Sequence, residues 1–154
     1  MDFASLLSRD TVKVPLEAVD KEEAIAELLE LLVRTGRARD REALLDALYA
    51  REDKGSTGIG SGVAIPHARH EGIRGVAVAV GVSRDGVEFD SADGRPVHLV
   101  FLVVAEAHNP GPNVEVLADI GTLMQMPGLY DRLVAVRAAD ELIAAIVGAQ
   151  EEEQ

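Results

Sequence analysis

Val97-His98-Leu99-Val100-Phe101-Leu102-Val103-Val104 is the stretch on which the fold turns. It is apolar at both alternating sets of positions, so a strand built from it needs cover on both faces, as the central strand of a layered sheet has. Its one polar side chain, His98, reads as a packed, hydrogen-bonded residue or as one that orients another group. Even extended to Ala105, the run is far too short to span a bilayer. Upstream lie three further β-branched runs, Val63–Ile65, Val76–Val82 and Val87–Phe89, interleaved with nine of the fourteen glycines between Gly55 and Gly94. The Asp85-Gly86 pair predicts a tight turn joining two of these strands as a local antiparallel hairpin.

Helical periodicity frames this strand-rich middle. Asp20 and Glu23 form a capping-box-like start, Ile25, Leu28, Leu29 and Leu32 share one face, and Gly36 stands where a helix should stop. A second helix begins near Asp40, carries Leu44, Leu45 and Leu48 inward and ends before Gly55, with Arg51 extending its inner stripe. After the loop Asn109-Pro110-Gly111-Pro112, helical spacing returns at Val114, Leu117, Ile120 and Met124. It returns again at Leu142, Ile143, Ile146 and Val147 behind an Asp140 cap. The expected architecture is an α/β single-domain sandwich with a central mixed β-sheet flanked by helices on both faces. The domain is expected over residues 1–150, with 151–154, EEEQ, as a disordered acidic tail.

Composition excludes several functions. A chain of 154 residues holds one domain with a real core, and 27 acidic against 15 basic residues give a net charge of −12. With 3% aromatic residues as well, it is a poor binder of nucleic acid, whose recognition needs cations at phosphates. Anionic membrane surfaces are disfavoured for the same reason. The absence of cysteine removes disulfides, thiol nucleophiles and thiolate metal sites. The amino-terminal MDFASLLSRD lacks the features of a signal peptide, so a cytoplasmic protein without membrane insertion is expected.

The chemistry concentrates in Gly55-Ser56-Thr57-Gly58-Ile59-Gly60-Ser61-Gly62-Val63-Ala64-Ile65-Pro66-His67-Ala68-Arg69. Ser61 after Gly60 breaks the P-loop pattern, which needs lysine there. The loop runs into a strand rather than a helix, unlike a dinucleotide fingerprint, and the register does not fit a nucleophile elbow. Pro66 fixes its own φ and keeps Ile65 extended, so His67 is delivered at a strand end with little backbone freedom. A neutral imidazole there has one nitrogen free as a nucleophile while the other is held by a hydrogen bond, and it can accept a phosphoryl group. Charge on the transferring oxygens would be met by loop amides at Gly58 and Gly60, the Ser56 and Thr57 hydroxyls, and an arginine. Arg51 is the best-placed cation, with Arg69 also close in sequence; no metal or cofactor is needed.

On the residues alone, a second reading stays open in which His67 is merely a satisfied histidine and the glycines only permit turns. A metal site on His67 and His70 is weaker, because that spacing suits a helix and Pro66 argues against one. His108, in a polar loop, reads as solvent-exposed.

Residues Arg51-Glu52-Asp53-Lys54-Gly55-Ser56-Thr57-Gly58-Ile59-Gly60, running into Ala64-Ile65-Pro66-His67, carry a specific resemblance. Over roughly Leu6 to Val147 the chain resembles the fructose/mannitol-type enzyme IIA domain of the bacterial phosphoenolpyruvate-dependent sugar phosphotransferase system, particularly its nitrogen-regulatory relatives. The resemblance implies that His67 is phosphorylated on Nε2, that Arg51 assists beside it, and that a mixed sheet is flanked by helices. It also implies an HPr-like phosphocarrier protein as donor and an enzyme IIB or a regulatory target as acceptor or partner. One position departs from the family pattern of His, aliphatic, any residue, aliphatic, Leu: here it reads Asn113-Val114-Glu115-Val116-Leu117. Asn113 can cap the helix and form hydrogen bonds but carries no proton charge. The expected function is thus a phosphocarrier, with no room for a fused further domain and so acting in trans. The alternative is a non-catalytic regulatory binding module whose relay is impaired by Asn113, and a metal-dependent hydrolase stands a distant third.

Overall fold

The apolar run around Phe101 becomes β6 (Val97–Glu106), and the computed structural model, which describes residues 2–153, is organised around it. Five more strands join it: β1 (Val12–Lys13), β2 (Gly58–Gly60), β3 (Val63–Ala64), β4 (His67–His70) and β5 (Val76–Val87). The sheet order is β1-β5-β6-β3-β2, with β4 also paired to β6. β5 runs antiparallel to β6, while β3 and β4 run parallel to it, so the sheet is mixed as expected. The helices are α1 (Lys21–Arg34), α2 (Arg41–Asp53), α3 (Gly111–Gln125), α4 (Leu129–Val134) and α5 (Ala139–Glu153).

Strand alternation divides the core in two. Leu99, Phe101 and Val103 of β6, with Val78, Val80 and Val82 of β5, face Val116, Ile120, Leu133, Leu142 and Ile146 of α3, α4 and α5. Val100, Leu102 and Val104, with Ala77 and Ala79, face Ile25, Leu28, Leu29, Leu44 and Leu48 of α1 and α2. The second face of β5 is built of small residues, and this lets other side chains approach closely. At Gly81 an added Cβ would lie 2.6 Å from Leu16 Cγ. α1 starts as its sequence says: the Asp20 side chain accepts from the Glu23 amide at 2.9 Å, filling one of the donors a helix start leaves open. Among the described residues no helix is long and apolar enough to cross a membrane.

Four expectations need correction. Asp85-Gly86 is not a turn: β5 continues through it to Val87, and Ser83–Gly86 bulge out where the register shifts against β6. Gly86 serves that bulge with φ +95°, and its amide donates to Ser83 Oγ at 2.9 Å. The glycine loop holds strand β2, antiparallel to β3, rather than free coil. In α3 the inner face is Val116, Ile120 and Leu123, whereas Val114 is exposed. Finally, α5 runs on through Glu151–Glu153 of the 151–154 stretch expected as a disordered tail, since no proline interrupts it and glutamate is a good helix former; Gln154 lies outside the described residues. Strands β1 and β4 and the short α4 were not expected, because none carries a run of alternating or periodic apolar residues long enough to stand out.

Phe101 is fully buried and meets Phe3 edge to face, ring centroids 6.0 Å apart. Phe101→Ala should lose about 3–5 kcal/mol of stability in urea unfolding. A loss below about 1 kcal/mol would mean that this layer of the core is not packed as described.

Candidate functional site

One edge of β6 is shared by two short strands. Val63 and Ala64 pair with Leu99 and Val100, and His67 to His70 pair with Val103 to Glu106, with the same offset of 36 residues throughout. β3 and β4 are therefore one path interrupted at Ile65-Pro66 without loss of register. The interruption follows from the chemistry of proline, which has no N–H to give to the ladder. The Pro66 carbonyl still accepts from the Val103 amide at 2.9 Å, while the Ile65 amide turns the other way, to Thr57 O at 3.0 Å. His67 opens the strand after the break. Its pairing partner Val103 belongs to the core under α3, α4 and α5, so alternation puts His67 on the face that those helices cover.

The half-buried His67 ring has its Nδ1 2.8 Å from the carbonyl oxygen of Ile65. A carbonyl only accepts, so Nδ1 carries the proton and the Nε2 lone pair is free when the ring is neutral. His70 has the opposite arrangement, its Nδ1 accepting from the Gly72 amide at 2.9 Å. His98 Nδ1 lies 2.9 Å from Ser83 O, at the other end of β6 against the bulge; it is the packed, hydrogen-bonded histidine expected. His108 is exposed as expected, 3.5 Å from an equally exposed Glu71. His67 and His98 both hold Nδ1 against a carbonyl, and what sets His67 apart is its place at the strand break beside the glycine segment.

Arg51 lies in the last turn of α2, which packs against β4 from the face opposite α3, and its Nη1 donates to Gly55 O at 2.8 Å. No hydrogen bond or ion pair among the described residues joins it to His67. Three of the four loop residues expected at a phosphoryl group have their donors committed elsewhere. Ser56 Oγ donates to Phe89 O and accepts from the Gly58 amide at 3.0 Å. Thr57 gives its amide, at 3.2 Å, and its hydroxyl to the carboxylate of Glu52. Gly58 is a glycine because a Cβ would collide with Ser91 Oγ, and Gly60 because its φ is +93°. Ser56, Thr57 and Gly58 thus spend these donors in building the loop, and Gly60 supplies its turn.

Two anchors of that loop were missed in the sequence. Glu52, 5% exposed, is the buried acid of α2 and lies four residues after Leu48, one step beyond Arg51 on the inner stripe. A carboxylate at a helical inner position needs donors, and Thr57 supplies them. Asp93 grips the turn after β2: its Oδ2 accepts from the Ser61 amide at 2.8 Å and its Oδ1 from the Arg95 amide at 3.1 Å. These two bonds, Ser61's first, hold its carboxyl below the usual range. Such a partner distant in sequence has no local signature.

Asn113 lies in the first turn of α3, on the helix that packs on β6 and on the same side of the sheet as His67. Its Oδ1 is buried with no hydrogen-bond partner among the described residues. Rotating the amide exchanges Oδ1 for Nδ2, so this position presents an acceptor or a donor but no charge.

A mixed sheet between two helical layers, with a half-buried histidine at a proline break beside a glycine loop, defines an α/β single-domain fold. The sequence profile of the "Phosphoenolpyruvate-dependent sugar phosphotransferase system, EIIA 2" family matches residues 5–148, and the chain belongs to that family. It is 36% identical over 146 residues to the fructose-specific EIIABC component of Bacillus subtilis, covering 95% of this chain but only 23% of that protein's length. The crystal structure of the nitrogen regulatory protein IIA-Ntr from Neisseria meningitidis matches with TM-score 0.85 and 31% identity, covering 93% of this chain and 97% of that one. The Escherichia coli enzyme IIA for mannitol, solved in complex with phosphorylated enzyme IIB, shares the fold with TM-score 0.80 at 21% identity, covering 92% and 97%.

Thr57→Val removes a buried hydroxyl donor from Glu52 and should cost about 1–3 kcal/mol in chemical denaturation; an unchanged midpoint would show that the pair does not hold the loop. The Asp93 contribution has a definite sign. Because its folded pKa is depressed, the grip on Ser61 is present above the ordinary carboxylate pKa and is lost as pH falls through the lower folded value. The Ser61 amide resonance should titrate with a midpoint below that of a free aspartate, and a midpoint at or above it would remove this anchor.

Proposed function

We propose that the chain is a phosphocarrier that takes a phosphoryl group from an HPr-like protein onto Nε2 of His67. The observation that carries this is the bond from Nδ1 to Ile65 O, which leaves the Nε2 lone pair as the ring's nucleophile. As the N–P bond forms at Nε2, the donor's own bond to phosphorus breaks and its electron pair leaves with the donor. No proton need move from Nδ1. The transfer passes through a loose, charge-spread transition state, so the protein's part is positioning and electrostatic stabilisation. Arg51 is the guanidinium for that charge, reaching the site around the sheet edge from α2, and it is a proposal that its bond to Gly55 O is exchanged for phosphate when the group arrives. Ser56, Thr57, Gly58 and Gly60 act by shaping the loop on which Arg51 leans. The phosphorylated chain would then pass the group to an enzyme IIB or report its state to a regulatory partner, in the cytoplasm where such donors work. Support for these partners comes from the family and from the mannitol IIA neighbour bound to IIB.

A second reading has an observation of its own. The unpartnered Oδ1 of Asn113 stands where the family's pattern has a second histidine, and it cannot take or hold a positive charge. In that reading the chain keeps the fold as a binding module without turnover.

Incubation with phosphoenolpyruvate, enzyme I and an HPr-like donor should add one phosphate to the intact mass under mildly alkaline conditions, and His67→Ala should abolish it. No gain with a competent donor sinks the carrier reading. Arg51→Ala should slow the transfer by about 10²–10³-fold with the fold intact. If Asn113→His creates transfer that the native chain lacks, the binding-module reading wins; if the native chain already transfers and the variant barely differs, it loses.

A further inference from the structure

A cleft of about 660 Å³ lies beyond the far end of β4, away from His67, between the α1–α2 loop and the turn that follows His70. Three arginines line it: Arg37 and Arg39 from the loop, and Arg74 from the turn. All three are exposed, and none forms an ion pair or a side-chain hydrogen bond among the described residues. In a chain of net charge −12, where Arg9, Lys13, Lys21 and Arg41 each sit against a carboxylate, three guanidiniums without an ion pair among the described residues outnumber the two carboxylates of this cleft and leave it a local surplus of positive charge.

Their placement is built. Ala38, 4% exposed, pins the loop into the core and leaves its two neighbours, Arg37 and Arg39, facing out. Ile73, 3% exposed, does the same for the turn and leaves Arg74 facing out. The two segments touch closely, since a Cβ on Gly72 would lie 3.1 Å from Arg39 O. The cleft also has two carboxylates, Asp40 and Glu71, and an apolar part from Leu7 and Ala77. Asp40 forms no side-chain cap on α2, and Glu71 leans toward His108 at 3.5 Å.

We propose that this cleft binds a small phosphorylated, hydroxyl-bearing compound, either a nucleotide or a sugar phosphate. Planar guanidiniums match phosphate oxygens in bidentate fashion. The two carboxylates repel a bare anion but accept hydrogen bonds from the hydroxyls of a ribose or hexose, and the apolar part covers the body of the ligand. The volume is that of a small-molecule site. The site is independent of phosphoryl transfer at His67.

The test is titration of the full chain with AMP, ADP, glucose 6-phosphate, inorganic phosphate and an acidic peptide, followed by calorimetry and by amide NMR. At least one of the three phosphorylated compounds should bind saturably, about tenfold or more tighter than inorganic phosphate, and shift the amides of residues 37–40 and 71–74. Arg39→Gln and Arg74→Gln should each weaken it by about tenfold. Arg132→Gln, on α4, and His67→Ala should leave it unchanged, so its failure and that of the phosphocarrier reading are distinguishable. The nucleotide and sugar arms decide which class occupies the site. Absence of saturable binding, equal affinity for inorganic phosphate, tighter binding of the acidic peptide, or insensitivity to both arginine variants would overturn the proposal.

Discussion

The unbroken register along one edge of β6 is the constraint on which the rest of the structure depends. Every side chain of β6 from Leu99 to Ala105 is fully buried, so the strand cannot slip by one residue without exchanging its two core faces. With that ladder fixed, a single proline without an N–H opens a gap between β3 and β4 at a set place. The residue after the gap is still held in register, and its side chain is still assigned to one face. His67 is thus positioned by the hydrophobic core through the backbone, before any polar contact of its own is counted.

Polar contacts then set the orientation and the surroundings. The Ile65 carbonyl, two residues back on the same chain, selects which ring nitrogen of His67 holds the proton. The glycine segment is held by partners on other elements: Ser56 on Phe89, Thr57 on Glu52, Ser61 on Asp93. A buried carboxylate is costly unless donors surround it, so Glu52 ties the end of α2 to the loop at the place where Arg51 emerges. Helix, loop and strand break are in this way one assembly, with the cation on one side of the sheet and Asn113 with the histidine face on the other.

Much of this was legible in the chain. The two-faced apolar run of β6, the Asp20-capped α1 and the leucine stripe of α2 are strong periodic signals, and they imply a covered mixed sheet. Pro66-His67 after a short β-branched run was enough to place this histidine at a strand end. What was not legible depended on distant partners. The hydroxyls of Ser56 and Thr57 looked available because nothing local says that Phe89 or Glu52 takes them. Asp85-Gly86 has the composition of a turn, yet the pairing of β5 with β6 is strong enough on both sides to turn it into a bulge. β4, His-Ala-Arg-His, has no apolar alternation, and it is a strand only because β6 offers it a free edge.

The most direct test of the central claim is the ¹⁵N spectrum of the His67 ring, recorded on the full chain before and after exposure to phosphoenolpyruvate, enzyme I and an HPr-like donor. In the neutral form of the ring the proton is expected on Nδ1 with Nε2 unprotonated, and Nε2 then becomes bonded to phosphorus while Nδ1 keeps its proton. A neutral ring with its proton on Nε2 in the free chain, or phosphorus on Nδ1 or on another residue, would contradict the claim.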